Sequence, residues 1–269
     1  MANEVRVGFI GGGNMAGAMI DAVLQSGLLP AETLLVSDPN AEICNNLRAK
    51  GVKIASSNVE LVEACSLIFL AVKPQIVPLV LPELCGKLDG KCLVSIAAGV
   101  SVESLRSVIG SNTDFIRVLP NTPMLLMRGA TVIANPENCA KETFSLVVEI
   151  FRASGMVEFL DECFINAVIP VSSSSPAFFF RFVRAMAESA AKNGIPYEVA
   201  LRLATETMHG AAHMMRESGK TPDELIAQVS SKGGTTVAAL SAFDDFSFEA
   251  FMDEVFARCI NRANELGKQ

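Results

Sequence analysis

The sequence lacks several features that would assign it to familiar protein classes. It has no tryptophan and only one tyrosine, and its 22 basic residues stand against 29 acidic ones, giving a net charge of −7. No basic patch stands out, so nucleic acid is not expected as a partner. No apolar run approaches the roughly 20 residues that span a membrane. Residues 1–5 lead directly into a predicted strand, which leaves no room for a signal peptide.

The sequence also lacks the side-chain groupings that mark several catalytic classes. Its seven cysteines form no C-x-x-C pair and their total is odd, which is typical of reduced thiols in a cytoplasmic protein. His209 and His213 lie one helical turn apart on the same face as Glu206, but no further ligand is evident, so we expect no metal. Tyr197 has no lysine four residues later, and no G-x-S-x-G motif is present.

What the sequence does contain is a glycine-rich turn at its start. Residues 5–10 are apolar enough for a buried strand, and residues 15–25 have apolar side chains at helical spacing. Between them lies a G-x-G-x-x-A motif, in which Gly11 permits the turn, Gly13 lets a pyrophosphate approach, and Ala16 allows close helix–strand packing. This arrangement predicts a bound NAD-type cofactor at the helix N-terminus.

A second strand, residues 34–37, ends beside an acidic residue. In a dinucleotide-binding fold, the residue at this position meets the adenosine ribose, and an acid accepts from the 2′-hydroxyl of NAD. Asp38 therefore favours NAD, whereas Ser37 and Asn40 could serve NADP, although no arginine lies close by in sequence. A second interpretation is equally open: Asp38 as a helix N-cap or turn residue ahead of Pro39.

The following segments alternate between strands and helices, which predicts an α/β fold with a mostly parallel sheet and helices on both faces. Predicted strands cover residues 67–72, 92–96 and 115–119, and two short ones, 131–134 and 156–159, flank a helix over 137–154. Ligands bind such sheets where the strands end. The turns of interest are accordingly residues 71–74, 97–99 and 121–123.

After Asp161 the strand pattern stops and the chain reads as helices, so we predict a Rossmann-type domain over 1–161 and an all-α domain over 162–269. Thr221 is a predicted N-cap, with proline and two acids in the first turn. The helix around Phe178–Phe182 has little polar face. We favour its burial in a symmetric dimer over burial as a central helix of the monomer.

Two clusters of hydroxyl side chains lie in this helical part. Residues 172–175 precede Pro176 at a predicted helix break, and the plain interpretation is an interruption whose serines bond to the preceding turn. Residues 230–236 place two glycines between hydroxyl pairs at a helix start, a nest of N–H groups suited to a small carboxylate. A flexible turn between helices is the alternative.

Taken together, these segments resemble the pyrroline-5-carboxylate reductase family over nearly the whole chain. The motifs that carry the resemblance are residues 9–15 (FIGGGNM), 71–75 (AVKPQ), 95–100 (SIAAGV), 117–123 (RVLPNTP), 174–177 (SSPA) and 231–236 (SKGGTT). The first is shared with many dehydrogenases, whereas the last, in its helical context, is specific to this family.

The resemblance implies hydride transfer from NADPH, with NADH also accepted, to the C=N carbon of pyrroline-5-carboxylate, giving proline. It implies a C-terminal dimerisation domain that swaps helices to form a homodimer, often within larger rings, and a substrate loop contributed by the partner subunit. Thr236 would hydrogen-bond the imine nitrogen as the catalytic hydroxyl. The implied substrate-binding residues are Ser174, Ser175, Ser231, Gly233, Gly234, Thr235 and Thr236. The implied coenzyme-binding residues are Gly11, Gly13, Asn14, Met15, Ser37, Asp38, Asn58, Ala71, Val72, Lys73, Pro74, Ala97, Ala98, Gly99 and Asn121.

Four residues depart from the family pattern. Ser173 stands where glycine is usual, Phe178 where tyrosine is frequent and Lys232 where proline is usual, and Asp38 puts the NADP preference in question. Two other functions stay open. One is a related imine or β-hydroxyacid reductase, for which Lys192 would be the candidate lysine, and the other is a non-catalytic protein that binds nucleotide or proline.

Overall fold

A single sheet organises the N-terminal part of the chain. The computed structural model describes residues 6–110, 112–136 and 138–267, and within them the sheet has eight strands in the order β3-β2-β1-β4-β5-β6-β7-β8. Their bounds are β1 Val7–Ile10, β2 Leu34–Ser37, β3 Lys53–Ile54, β4 Leu67–Leu70, β5 Cys92–Ser95, β6 Asp114–Leu119, β7 Gly129–Ala134 and β8 Gly155–Leu160. Strands β1 to β6 are parallel, β7 runs antiparallel to β6, and β8 is parallel to β7. The predicted α/β class with a mostly parallel sheet is confirmed.

Helices cover both faces of this sheet. They are α1 Asn14–Ser26, α2 Ala41–Ala49, α3 Asn58–Ala64, α4 Val77–Leu84, α5 Val102–Ile109 and α6 Lys141–Arg152. Because successive strand residues point to opposite faces, Phe9 packs in a core with α1 and α6, and its neighbour Ile10 packs in a second core with α3, α4 and α5. Phe9 stacks on Phe69 with ring centroids 4.9 Å apart, and both side chains are fully buried.

The sequence predicted most of these elements within two residues of their observed ends. The helix predicted over 137–154 is shorter, because it begins at Lys141; its predicted first residue, Glu137, and the predicted first residue of β1, Val5, lie outside the described residues. Two elements were missed, β3 and α3. Strand β3 has only two residues, which is too short to show alternation.

The chain divides into two compact units, residues 6–174 with 258–267, and residues 175–257. The helices after β8 are α7 Ile165–Val168, α8 Ser175–Lys192, α9 Tyr197–Glu217, α10 Pro222–Val229, α11 Thr235–Asp245 and α12 Phe248–Leu266. As predicted, Thr221 caps α10, in a capping box with Glu224. The predicted domain boundary after residue 161 falls at the end of β8, whereas the compact units separate at Ser174.

The second unit exposes many large apolar side chains. Helix α8 exposes Phe179, Phe180 and Phe182, the second of them at 70% of its surface, so the interpretation of α8 as a buried central helix of the monomer is wrong. Phe246, between α11 and α12, is 85% exposed. Contiguous apolar surface of this kind marks an interaction site. None of the described helices combines the length and apolar character of a membrane span.

Candidate active-site elements

The turns that follow three neighbouring strands, β2, β1 and β4, lie side by side at one edge of the sheet. The Gly11 N–H after β1 donates to the Ser37 carbonyl at the end of β2, with an N···O distance of 2.8 Å. The Ala71 N–H after β4 donates to the Ile10 carbonyl at 2.9 Å. The strand order reverses direction between β1 and β4, so this edge is the topological switch point at which α/β sheets bind ligands.

The glycine turn is tightly packed at Gly11 and Gly12 and open at Gly13. Gly11 has φ +93°, and a Cβ there would lie 2.8 Å from the Ala71 carbonyl oxygen. A Cβ on Gly12 would lie 2.8 Å from a methyl group of Ile43 on α2. Gly13 differs from both, because a Cβ there would meet nothing within 4 Å. The turn therefore leaves free space directly in front of α1.

The N-terminus of α1 has the properties that a dinucleotide pyrophosphate requires. Gly13 is its N-cap and offers no side-chain hydrogen bond, and the first turn, which starts with exposed Asn14 and half-buried Met15, holds no acidic residue. The first N–H groups and the positive end of the helix dipole thus face the open space. The residues present fit a dinucleotide coenzyme here.

Asp38 connects the end of β2 to the glycine turn. Its Oδ2 accepts from the Gly12 N–H at 2.7 Å and its Oδ1 from the Asn40 N–H at 2.8 Å. The cap of α2 is Asn40, whose Oδ1 accepts from the N–H groups of Glu42 and Ile43. The interpretation of Asp38 as a turn residue is confirmed, and its interpretation as an N-cap is wrong.

The other predicted coenzyme residues occupy three places. Ala71, Val72, Lys73 and Pro74 follow β4, beside the glycine turn, and Ala97 and Ala98 follow β5. Gly99 packs against α12, since a Cβ there would lie 2.7 Å from the Ala263 carbonyl oxygen. Asn58 begins α3 and donates from Nδ2 to Glu83 Oε1 at 2.5 Å. Their roles toward a coenzyme stay predictions.

Asn121 has a positioning role that the sequence did not reveal. It is only 8% exposed; its Oδ1 accepts from the Ala130 N–H at 2.9 Å and its Nδ2 donates to the Ser172 carbonyl at 3.2 Å. Beside it, the Ser173 hydroxyl donates to the Pro120 carbonyl at 3.0 Å. The turn after β6 is therefore tied to the serine cluster, and the two polar atoms of the Asn121 side chain already have partners.

We expect Asn121→Ala to lower the free energy of unfolding by about 2 kcal/mol, because it removes two hydrogen bonds of a buried side chain, one from the Ala130 N–H and one to the Ser172 carbonyl. Thermal and urea unfolding of the purified chain measure this. Asn135→Ala is the matched control, because Asn135 is exposed and only its Nδ2 bonds to Asp161. Equal stability of the two variants would contradict the positioning role.

The hydroxyl-rich loop of the second unit ends in an uncapped helix. Gly234 is the N-cap of α11 without a side-chain hydrogen bond, its N–H donates to the Ser231 carbonyl at 2.9 Å, and the first turn of α11 holds no acidic residue. A Cβ on Gly234 would lie 2.5 Å from Ser231 Oγ and 3.0 Å from the Ser231 carbonyl oxygen, so the loop is tightly folded at this point. Among the described residues, the buried Ser230 Oγ has no hydrogen-bond partner. Free donors without a nearby acid suit a small carboxylate.

The remaining predicted residues lie around this loop and at the start of α8. Thr235 is exposed and Thr236 half-buried, both in the first turn of α11, while Gly233 and Lys232 are exposed. Ser174 Oγ accepts from Cys259 Sγ at 3.4 Å, and Ser175 begins α8 and is 7% exposed. Lys192, the lysine that a hydroxyacid reductase would need, ends α8 and is exposed.

Several thiols and both histidines are possible reactive groups in the described part of the chain. Burial raises the pKa of the Cys65 thiol to about 11 and also raises the pKa of Cys92 and Cys139, so these groups stay protonated at neutral pH. His209 Nδ1 lies 3.9 Å from Glu206 Oε2, and both side chains are exposed. Over the described residues, no cluster of three histidine, cysteine or acidic side chains has the arrangement of a metal site.

Comparison with known proteins finds two family models that match different parts of the chain. Residues 162–266 match the family model described as pyrroline-5-carboxylate reductase dimerisation, and residues 6–99 match the model described as NADP oxidoreductase, coenzyme F420-dependent. The chain thus contains a dimerisation domain.

Similar proteins match over their full length. Pyrroline-5-carboxylate reductase 3 of Danio rerio is 35% identical, covering 99% of this chain and 93% of the relative. Pyrroline-5-carboxylate reductase of Escherichia coli (strain K12) is 35% identical, covering 98% of this chain and 99% of the relative. The crystal structure of Plasmodium falciparum pyrroline carboxylate reductase with NADP bound matches with a TM-score of 0.89 at 26% identity, covering 99% of both chains.

Proposed function

This chain belongs to the pyrroline-5-carboxylate reductase family, and from that membership we propose that it reduces 1-pyrroline-5-carboxylate to proline with NADPH as hydride donor, NADH also being accepted. The family predicted from the sequence motifs is confirmed. The observation that carries the proposed activity is the full-length similarity to named reductases, which spans both the glycine turn and the hydroxyl-rich loop. Proline synthesis is the process it would serve.

The first unit would hold the coenzyme. Gly11, Gly13, Asn14 and Met15 would bind the pyrophosphate, through the open space and free N–H groups at the start of α1. Ser37 and Asp38 would meet the adenosine ribose, with Asn58 near that end. Residues 71–74, 97–99 and 121 would line the nicotinamide side. When bound, the reduced nicotinamide supplies the hydride.

The second unit would hold the substrate. Ser231, Gly233, Gly234 and Thr235 would bind the substrate carboxylate, because they surround N–H groups that no acid neutralises. Thr236 would hydrogen-bond the imine nitrogen. Ser175 at the start of the second unit, and Ser174 at the end of the first, would add hydroxyls. We propose that this loop serves the coenzyme of the partner subunit in a homodimer, since the family model for these residues is one of dimerisation.

This chemistry needs little from the side chains beyond orientation. An imine carries a basic nitrogen and can arrive protonated, so its reduction needs a hydride donor and a hydroxyl that orients the ring, but no strong base. The absence of a histidine, tyrosine or lysine constellation therefore agrees with the reaction. Holding two reactants at reacting distance supplies roughly 7–11 kcal/mol of the barrier reduction in favourable cases.

The test is turnover by the purified full chain. We expect NADPH oxidation that depends on 1-pyrroline-5-carboxylate and yields one proline per NADPH, followed by absorbance and by amino-acid analysis. A panel of other cyclic imines and of 3-hydroxy acids, run with both coenzymes, is the comparison. Faster turnover of a panel compound would assign the chain to a related reductase, and coenzyme binding without any turnover would make it a non-catalytic member.

The assembly state of the chain and its location in the cell complete the proposal. The exposed apolar side chains of α8 and of the segment around Phe246 would be covered in the homodimer, and dimers would assemble into larger rings. Light scattering of the purified chain tests both states. A cytoplasmic location is proposed because all seven cysteines are free, which suits a reducing compartment.

A further inference from the structure

We infer that Asp38 sets the coenzyme preference of this chain and shifts it toward NADH, so that NADH is used at least as efficiently as NADPH. This inference rests on the proposed coenzyme site and adds to it the residue that decides between the two coenzymes. It is carried by the position of the Asp38 carboxylate, by its hydrogen bonds and by the finding that no cation in the described part of the chain pairs with it.

The Asp38 carboxylate is fixed at the place where the adenosine ribose meets a dinucleotide fold. It directly follows β2, and its two oxygens are held by the Gly12 N–H at 2.7 Å and the Asn40 N–H at 2.8 Å. The Gly12 bond ties the carboxylate to the turn that would receive the pyrophosphate.

The carboxylate keeps the acceptors that a ribose needs. Each carboxylate oxygen has two lone-pair sites, and the backbone bonds use one on each oxygen. The remaining two can accept from the 2′- and 3′-hydroxyls of NADH. The same group has no proton to donate to the 2′-phosphate of NADPH, and its negative charge repels that phosphate.

The basic residues nearest after Asp38 in the chain do not pair with it. The two basic residues that follow in the chain bond elsewhere: Arg48 Nη1 donates to Asn45 Oδ1 at 2.9 Å, and Lys50 Nζ pairs with Asp21 at 2.5 Å. Asn40 uses its side-chain oxygen to cap α2. Over residues 6–110, 112–136 and 138–267, no cation forms an ion pair with Asp38.

The experiment measures binding of NADH and NADPH to the full chain without substrate, by calorimetry or by the fluorescence of the reduced nicotinamide, together with kcat/KM for both coenzymes. We expect a wild-type NADH/NADPH ratio of at least about 1, and a fall of about 30-fold in Asp38→Ser, mainly through tighter NADPH binding. Asp38→Asn keeps one side-chain oxygen and removes the charge, so it should give most of the same shift if Asp38→Ser is unstable. Glu42→Gln removes an exposed negative charge nearby on α2 and should change the ratio less than about 3-fold.

The binding measurement distinguishes a failure of the Asp38 proposal from a failure of the proposed reductase activity. A wild-type preference for NADPH of more than about 10-fold, or an unchanged ratio in both Asp38 variants, would overturn the role of Asp38 while leaving the reductase activity intact. Ratios that shift as expected without turnover of 1-pyrroline-5-carboxylate would support Asp38 and contradict the proposed reaction. Failure of both coenzymes to bind would overturn both.

Discussion

Replacing Gly13 with serine is expected to weaken binding of NADPH and NADH about 100-fold without destabilising the protein. The fold tolerates the change, because Gly13 has φ −66° and a Cβ there meets nothing within 4 Å. Serine is also at least as good an N-cap as glycine, so the apo protein should be equally or slightly more stable.

Coenzyme binding should weaken because the open space that accommodates the new side chain is the space that the pyrophosphate would occupy. The new Cβ and hydroxyl would fill the open space in front of α1, and the hydroxyl oxygen would accept from N–H groups that a pyrophosphate otherwise takes. Loss of one or two hydrogen bonds to a charged group, each worth about 1.5–3 kcal/mol, corresponds to the expected factor. Coenzyme titrations and thermal unfolding of the same sample measure both quantities.

Gly17→Ser is the matched control for this substitution. Gly17 lies one turn further along α1 and also has nothing within 4 Å of a Cβ, so the same chemical change is made away from the helix end. We expect coenzyme affinity within about 2-fold of wild type, and a small gain in stability from replacing a helical glycine. If Gly13→Ser binds coenzyme as tightly as Gly17→Ser, the pyrophosphate does not lie at the start of α1.

Replacing Thr236 with valine is expected to lower kcat at least about 10-fold while coenzyme affinity stays unchanged. The two side chains have nearly the same shape, so the change removes the hydroxyl and little else. Among the described residues, the Thr236 hydroxyl makes no hydrogen bond, and the side chain is half-buried in the first turn of α11. It is therefore free to bond a ligand, and the fold does not depend on it.

The kinetic pattern distinguishes orientation from binding. A hydroxyl that orients the imine nitrogen in the transition state should lower kcat and kcat/KM together, whereas one that only binds the ground state should raise KM for 1-pyrroline-5-carboxylate. Thr205→Val is the control, because Thr205 is exposed on α9 and its hydroxyl bonds only to the Leu201 carbonyl. Unchanged kcat in Thr236→Val would remove Thr236 from the mechanism.

The parts of the fold that could be predicted from sequence are those with strong local signals. The apolar strands and the glycine turn determine their own structure within a few residues, and the capping box at Thr221 satisfies its own helix end. Helix α3 was missed although Ser57 caps it, because seven residues are too few to establish a periodic pattern.

The parts that could not be predicted depend on residues far apart in the chain. Asp38 is 26 positions from Gly12, and Asn121 is 51 positions from Ser172, so neither hydrogen bond leaves a trace in local spacing. In both cases a side chain that looked like a ligand contact also has a role in holding two turns together. The motif located the predicted coenzyme site, and the structure identified the long-range hydrogen bonds that hold its turns in place.

The first compact unit combines two separate stretches of the chain, since residues 258–267 pack with residues 6–174. Ala263 from this segment shares a buried cluster with Leu119 and Ile165, and its carbonyl covers Gly99. A nascent chain that has emerged from the ribosome only up to residue 174 would therefore expose that cluster to water. This cluster can be completed only after residues 258–267 have been synthesised, and limited proteolysis that removes this segment should destabilise the region around Leu119 and Ile165.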